Sequence, residues 1–291
     1  MTVVNWLKQA RKYLEAADLG TARLDALVLL EDVTGWNRAW LLAHPEAELS
    51  AAQAAELEKL LKRRAGHQPL AYIRGKTEFY GREYVLTPAV LQPRPESETM
   101  IDLLKALPVF NQPATASTAK APKNHTQVRI ADVGAGSGAL GITAYLELPN
   151  VEVKLLEIDP KALKVAKINV DKFTLNIKVL ETDLLAQSHQ DYDILLCNLP
   201  YVPDGYQINQ AAMQEPKIAI FGGPDGLDLY RKLFRQIDKL KKQPLYILTE
   251  ALPPQHAVLE QIAGAAGYKL QLRDDFIQVF ERTQKTVPGS R

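Results

Sequence analysis

The chain has 291 residues, 46% of them hydrophobic, with 35 Lys and Arg against 34 Asp and Glu and a formal net charge of +1. That length and apolar content suffice for a main domain with a smaller partner, and the balanced charge excludes a bulk electrostatic grip on a polyanion. A lone cysteine, Cys197, excludes an internal disulfide and a cysteine-based zinc cluster, and no metal site is expected.

The opening "MTVVNWLKQARKYLEAA" lacks the apolar segment of a secretory signal, and no uninterrupted apolar run of about 18 residues occurs, so a cytoplasmic protein without membrane contact is expected. Residues 1–75 read as a small helical bundle. Trp6, Ala10, Tyr13 and Leu14 recur at helical spacing, Leu24, Leu27, Leu29 and Leu30 continue the pattern, and Ala54, Leu57, Leu60 and Leu61 form a further stripe behind Ser50, a candidate N-cap. Residues 1–74 hold 10 Lys/Arg and 9 Asp/Glu, a mixed surface suited to protein contact or packing rather than direct nucleic-acid binding. Residues 76–92, aromatic and β-branched around Gly81, predict a β-hairpin connector.

A third segment, 93–284, opens with a helix that has Pro95 in its first turn and Glu96 and Glu98 near the orphan amides. Its polar, Pro-containing stretch 111–127 predicts a poorly ordered loop, and 285–291 reads as a tail. Beyond the loop, strands at 128–133, 151–158, 177–182, 192–197 and 244–250 alternate with helices, and 268–274 and 276–282 close as two strands. Such alternation specifies an α/β fold with a mostly parallel sheet, while the short last connection permits only an antiparallel pair.

Chemistry concentrates at the strand ends. "DVGAGSGALG", 132–141, places Gly134, Gly136 and Gly138 between a strand and its helix, where backbone approaches a ligand closely. Glu157 ends the next strand and suits both hydroxyls of a ribose, with Asp159 as the competing acid; Asp183 follows the third strand and suits an adenine amino group or a turn cap. Asp132 and Ala135 in the glycine turn, and Ile158 and Leu184 beside the two acids, complete the candidate set. These tips indicate an adenosine-containing ligand and leave NAD and S-adenosylmethionine both open. The turn "NLPY" separates them: Asn198 follows the fourth strand with an acceptor and a donor, the Leu199 carbonyl adds an acceptor, and Pro200 and Tyr201 shape a slot. Two acceptors at one point suit an amide or exocyclic amine nitrogen facing a methyl donor.

With these residues assembled, the chain resembles the bacterial peptide-chain release factor glutamine N5-methyltransferases, the HemK/PrmC family, over nearly its whole length. Asn198–Tyr201 is similar to that family's Asn-Pro-Pro-Tyr turn; "TARLDALVLL" at 21–30, "RRAGHQPLAYIRGKTEFYG" at 63–81, "LQPRPESE" at 91–98 and "EPKIAIFGGPDGLDLYRKL" at 215–233 add to the likeness. The resemblance implies a Class I S-adenosylmethionine-dependent methyltransferase fold, a seven-stranded sheet with an antiparallel C-terminal strand, behind a release-factor-engaging helical domain. It implies methyl transfer from S-adenosylmethionine, leaving S-adenosylhomocysteine, to the glutamine of a Gly-Gly-Gln loop by a monomeric enzyme. Asn198, Leu199, Pro200 and Tyr201 would hold the amide, with Glu215 and Pro216 supporting the pocket. Arg94 would have a structural or cofactor-side role.

Leu199 departs from the family's proline, which leaves the carbonyl but frees φ, a loss of about 0.4–1 kcal/mol of restraint. On that basis Leu199→Pro should preserve or modestly improve activity. "RDDFIQVFER" is also shorter than the usual ending, and Pro253 and Pro254 stand where a glycine-containing turn is usual. The rival readings are an N6-adenine DNA or RNA methyltransferase and a catalytically degenerate translation-factor-binding protein.

Overall fold

A computed structural model describes residues 1–111, 127–188 and 190–283. The predicted loop is thereby almost wholly outside the described residues, as is the tail. The chain divides into two units, Met1–Thr77 with Ile208–Gln214, and Glu78–Gln207 with Glu215–Arg291.

The first unit is helical: α1 (Val3–Ala16), α2 (Ala22–Thr34), α3 (Arg38–Ala43), α4 (Ala51–Ala65) and α5 (Leu70–Arg74). Its core gathers Trp6, Leu14, Leu29, Leu30, Leu41 and Leu57. Ser50 starts α4 through a reciprocal capping box with Gln53. Tyr13 and Leu24, read as part of the apolar stripes, are exposed instead; Val3, Ala22 and Ala26 take the inward positions. Under the core, Arg64 pairs with buried Asp25 at 2.7 Å, and Thr21 donates to the same carboxylate at 2.8 Å. A buried ion pair satisfied on several sides is costly to break from one end.

Strands β1 (Lys76–Phe79) and β2 (Arg82–Val85) form the expected hairpin. Tyr80 and Gly81 both have positive φ, +51° and +69°, the geometry that matches hairpin twist. The Tyr80 amide donates to Glu98 at 2.7 Å, so this acid holds the hairpin turn rather than its own helix start. A single 3₁₀ turn at Pro95–Ser97 precedes α6 (Glu98–Lys105) and the short α7 (Pro108–Asn111).

The second unit is built on β3 (Val128–Val133), β4 (Val151–Glu157), β5 (Lys178–Glu181), β6 (Ile194–Cys197), β7 (Tyr246–Glu250), β8 (Tyr268–Asp274) and β9 (Ile277–Arg282). They form one sheet in the order β5-β4-β3-β6-β7-β9-β8, with β9 antiparallel to both neighbours. Between the strands run α8 (Ala139–Glu147), α9 (Pro160–Lys172), α10 (Asp228–Ile237) and α11 (His256–Ala265). Strand alternation sends Ile194 and Leu196 into one core with Met100, Ile142 and Val170, and Leu195 and Cys197 into another with Leu233, Phe234 and Leu259. Both faces of the sheet are therefore buried, and the carboxyl ends of β3, β4, β5 and β6 are left to carry function.

Candidate active site

A cavity of about 250 Å³ opens at these strand ends. The chain leaves β3 through Gly134, Gly136 and Gly138, all with positive φ. A Cβ on Gly138 would lie 2.8 Å from Leu155 Cδ1, so this glycine seats α8 on the sheet and does not line the cavity, whereas Gly134, Ala135 and Gly136 do. The turn is braced by Asn169 of α9, wholly buried, whose amide donates to the carbonyls of Ser137 at 2.9 Å and Val85 at 3.0 Å.

Glu157 lines the cavity and accepts from the amides of Gly136 and Ile158 at 2.8 Å and Asp159 at 2.9 Å. A carboxylate has about four acceptor positions, so one is left for a ligand hydroxyl; a two-hydroxyl grip requires exchange of a backbone bond. Asp159 caps α9 through the Lys161 amide at 2.9 Å and sits at the cavity edge. Asp183 is paired with Lys232 of α10, so the acid read as an amine acceptor already has a cation on one oxygen. Leu184, at φ +56°, and exposed Ile158 supply apolar lining. Asp132 is buried and accepts the Gly141 amide at 2.8 Å; burial pushes its carboxyl up to about 7, the amide opposes this and the charge of Glu157 adds to it.

Asn198, Leu199 and Pro200 line the same cavity. The Asn198 NH2 donates to Ser97 Oγ at 3.0 Å, and Ser97 donates to Glu250 at 2.7 Å. Tyr201 donates to the other Glu250 oxygen at 3.0 Å. Burial chiefly, with the charge of Glu96, pushes the Glu250 carboxyl up, opposed by hydrogen bonds from Ser97, Tyr201 and Asn198. Tyr201 itself is raised, chiefly by burial and then by the charge of Glu250.

Leu199 is held on two sides. The residue is 2% exposed, with Cδ2 3.0 Å from where a Cβ on Gly134 would stand, and its N–H donates to the buried Tyr230 hydroxyl at 3.4 Å. That hydroxyl also faces the Glu250 carbonyl at 2.5 Å and the Cys197 carbonyl at 2.9 Å. The restraint expected to be missing without proline is thus supplied by burial and hydrogen bonding. Behind the turn, Cβ atoms on Gly222 and Gly226 would lie 2.2 Å from the Pro200 carbonyl and 2.0 Å from the Tyr201 carbonyl, so the "FGGPDG" loop is glycine-rich to let the two backbones meet. Gln255 joins them, donating to the Tyr201 and Asp225 carbonyls, each at 2.7 Å.

Arg94 does not line the cavity. One of its nitrogens donates to both oxygens of Glu215 at 2.8 and 2.9 Å, and Glu215 is 5% exposed. Burial raises the Glu215 carboxyl and Arg94 opposes that. The pair fixes the chain ahead of Pro216, from which a 3₁₀ turn brings Ile218 and Ala219 to the cavity. Sequence reasoning did not single out Ser97, Asn169, Tyr230 or Lys232. Tyr230 reads as one more apolar position on α10, and the partners of the others lie far away in the chain.

The sheet order, its antiparallel β9 and the strand-end site define a Class I methyltransferase. Residues 5–75 match the PrmC N-terminal domain family and residues 113–216 the methyltransferase small domain family. The release factor glutamine methyltransferase of Koribacter versatilis is 35% identical over 81% of each chain. That of Moorella thermoacetica is 34% identical over 92% of this chain and 91% of its own. The chain belongs to the release factor glutamine methyltransferase family. The hMettl16 catalytic domain, solved with MAT2A 3'UTR hairpin 1, shares the fold at TM-score 0.53 and 15% identity, covering 90% of this chain and 92% of that one. Among the described residues no helix is long and apolar enough to cross a membrane.

Proposed function

We propose that this chain transfers a methyl group from S-adenosylmethionine to the side-chain amide nitrogen of a release-factor glutamine, presented in a Gly-Gly-Gln loop. The observation that carries the reading is the pairing of two cavity-lining residues, Asn198, one of whose NH2 hydrogens goes to Ser97, and Leu199, to whose carbonyl nothing among the described residues donates. The Asn198 side-chain oxygen and the Leu199 carbonyl are then two acceptors without a donor among the described residues, and an amide NH2 has two hydrogens to offer.

The residues present fit the donor. Gly134, Ala135 and Gly136 leave room for close approach, Glu157 retains one acceptor position for a ribose hydroxyl, and Ile158 and Leu184 offer apolar walls for a base. When bound, S-adenosylmethionine supplies an electrophilic methyl on a sulfonium, so that the N–C bond forms as the C–S bond breaks and the nitrogen then releases a proton to water. Asn198 and Leu199 orient the amide hydrogens, and their acceptor oxygens stabilise positive charge developing on nitrogen. Tyr201 is a donor to Glu250 with its ionisation suppressed by burial, so it does not act as a base. Positioning carries much of the rate enhancement.

Purified protein with labelled S-adenosylmethionine should label a cognate release factor and not a version whose Gly-Gly-Gln glutamine is replaced. Label on nucleic acid alone would overturn the proposal in favour of adenine methylation, which no observation at the site prefers.

A further inference from the structure

The side chain of an asparagine has two nearly isosteric ends, and an amide-binding site works with only one of them facing the substrate. Reversed, Asn198 would offer hydrogens to hydrogens. Around it, Tyr201 and Ser97 each have one hydroxyl proton, and each directs it at a different oxygen of Glu250, at 3.0 and 2.7 Å. With a hydroxyl aimed at each of its oxygens, the Glu250 carboxyl is an acceptor on both sides. Ser97, its proton committed, faces Asn198 as an acceptor and takes the NH2 at 3.0 Å.

We infer that Glu250 and Ser97 form a one-way hydrogen-bond relay that fixes the amide of Asn198 with its carbonyl oxygen toward the substrate. Ser97 and Glu250 are positioning residues: they set which end of Asn198 meets the glutamine and touch no reacting atom themselves. The relay spans three distant chain segments, with Ser97 in the 3₁₀ turn before α6, Asn198 after β6 and Glu250 at the end of β7. Both Ser97 and Glu250 are buried, 2% and 1% exposed, so water does not readily replace either partner. Tyr201 joins through the second carboxylate oxygen, so one acid sets both side chains of the amide slot. The inference rests on the proposed amide-binding role of Asn198.

The test compares Ser97→Ala with Ser97→Thr. The relay predicts that Ser97→Ala loses roughly tenfold in kcat, the scale of one buried hydrogen bond, with S-adenosylmethionine affinity nearly unchanged and the thermal midpoint lowered by the partners left unpaired, while Ser97→Thr stays within about twofold of the parent. A packing role predicts the reverse order, because alanine removes one atom from a buried site and threonine forces one in. Glu250→Gln replaces a pure acceptor by a group that also donates and should lower kcat as well. The same relay is read without turnover in ligand-free, nitrogen-15-labelled protein: the Asn198 side-chain NH2, assigned by its disappearance in Asn198→Ala, should be protected from hydrogen exchange in the parent and Ser97→Thr and unprotected in Ser97→Ala. An active parent with a fast-exchanging Asn198 amide, or with full activity in Ser97→Ala, overturns the relay. A protected amide in a protein that methylates no glutamine leaves the relay standing and sinks the proposed function instead.

Discussion

Leu199→Pro sets sequence resemblance against the local physics. Proline stiffens the unfolded chain and would favour the folded turn by about 0.4–1 kcal/mol. Against this, the substitution removes the branched tip that packs over Gly134, about two carbons at roughly 0.8 kcal/mol each. It also removes the N–H that donates to Tyr230 at 3.4 Å, a long bond and so toward the weak end of the usual range of about 0.5–1.5 kcal/mol. Tyr230 keeps its other partners, which limits the penalty on that side. The net is a loss of about 1–2 kcal/mol, a thermal midpoint lower by roughly 3–6 °C in a domain of this size. Methyl transfer should survive within a few-fold, because the carbonyl that accepts the amide hydrogen is untouched. Thermal unfolding read by circular dichroism, with initial rates on the release factor, checks both halves. A midpoint equal to or above that of the parent would refute the view that Leu199 is held by burial and by Tyr230.

Asn198→Ala should lower kcat by at least about a hundredfold, the scale of losing a transition-state hydrogen-bond partner, while calorimetric S-adenosylmethionine affinity changes little; unchanged turnover removes Asn198 from the mechanism. Asp132, raised from 3.8 to about 7, binds its proton more tightly folded than unfolded, so its contribution to stability is full below about pH 4 and is lost as pH rises through 7. The midpoint of Asp132→Asn relative to the parent should accordingly climb between pH 4 and pH 8, and a flat difference would show that Asp132 does not titrate there. Gly138→Ala places a Cβ 2.8 Å from Leu155 Cδ1 at φ +81° and should cost about 1–3 kcal/mol in denaturant unfolding; an unaffected midpoint would mean that α8 moves freely on β4. Arg94→Ala leaves buried Glu215 without its cation, and with Arg94 itself 38% exposed the loss should be about 1–2 kcal/mol, below that of a fully buried pair. It should raise KM for the release factor before it lowers kcat, and an effect on S-adenosylmethionine affinity alone would return Arg94 to the cofactor side.

The architecture was legible because its signals are local. "ILLC" between helices reads as a buried parallel strand, the short link before "FIQVFER" demands an antiparallel partner, and Ser50 announces a helix start. The parallel order then brings the glycine turn, Glu157, Asp183 and Asn198 to one rim by topology alone. What each side chain does there was less legible. Asp183 looks like a free acid until α10 brings Lys232 to it from 49 residues away, and the structural partner of Arg94, Glu215, lies 121 residues away in the chain. Periodicity says which face of an element turns inward and nothing about which polar group it will meet. Tyr13 and Leu24 fail for a related reason: helical spacing marks a stripe wider than the contact that forms.

The same distinction explains the turn after β6. By motif, leucine in its second place is a proline lost, and the turn should be looser. In the fold, that leucine fills the space Gly134 leaves open, so the turn that would hold the substrate and the turn that would hold the methyl donor touch through one side chain and one missing one. Enlarging either partner would push the two apart where methyl transfer needs them close. On this reading Gly134→Ala should harm transfer more in the parent than in a Leu199→Ala background, where the space is restored. Equal losses in the two backgrounds would show that the glycine serves its backbone angle alone and that the contact with Leu199 carries no part of the alignment.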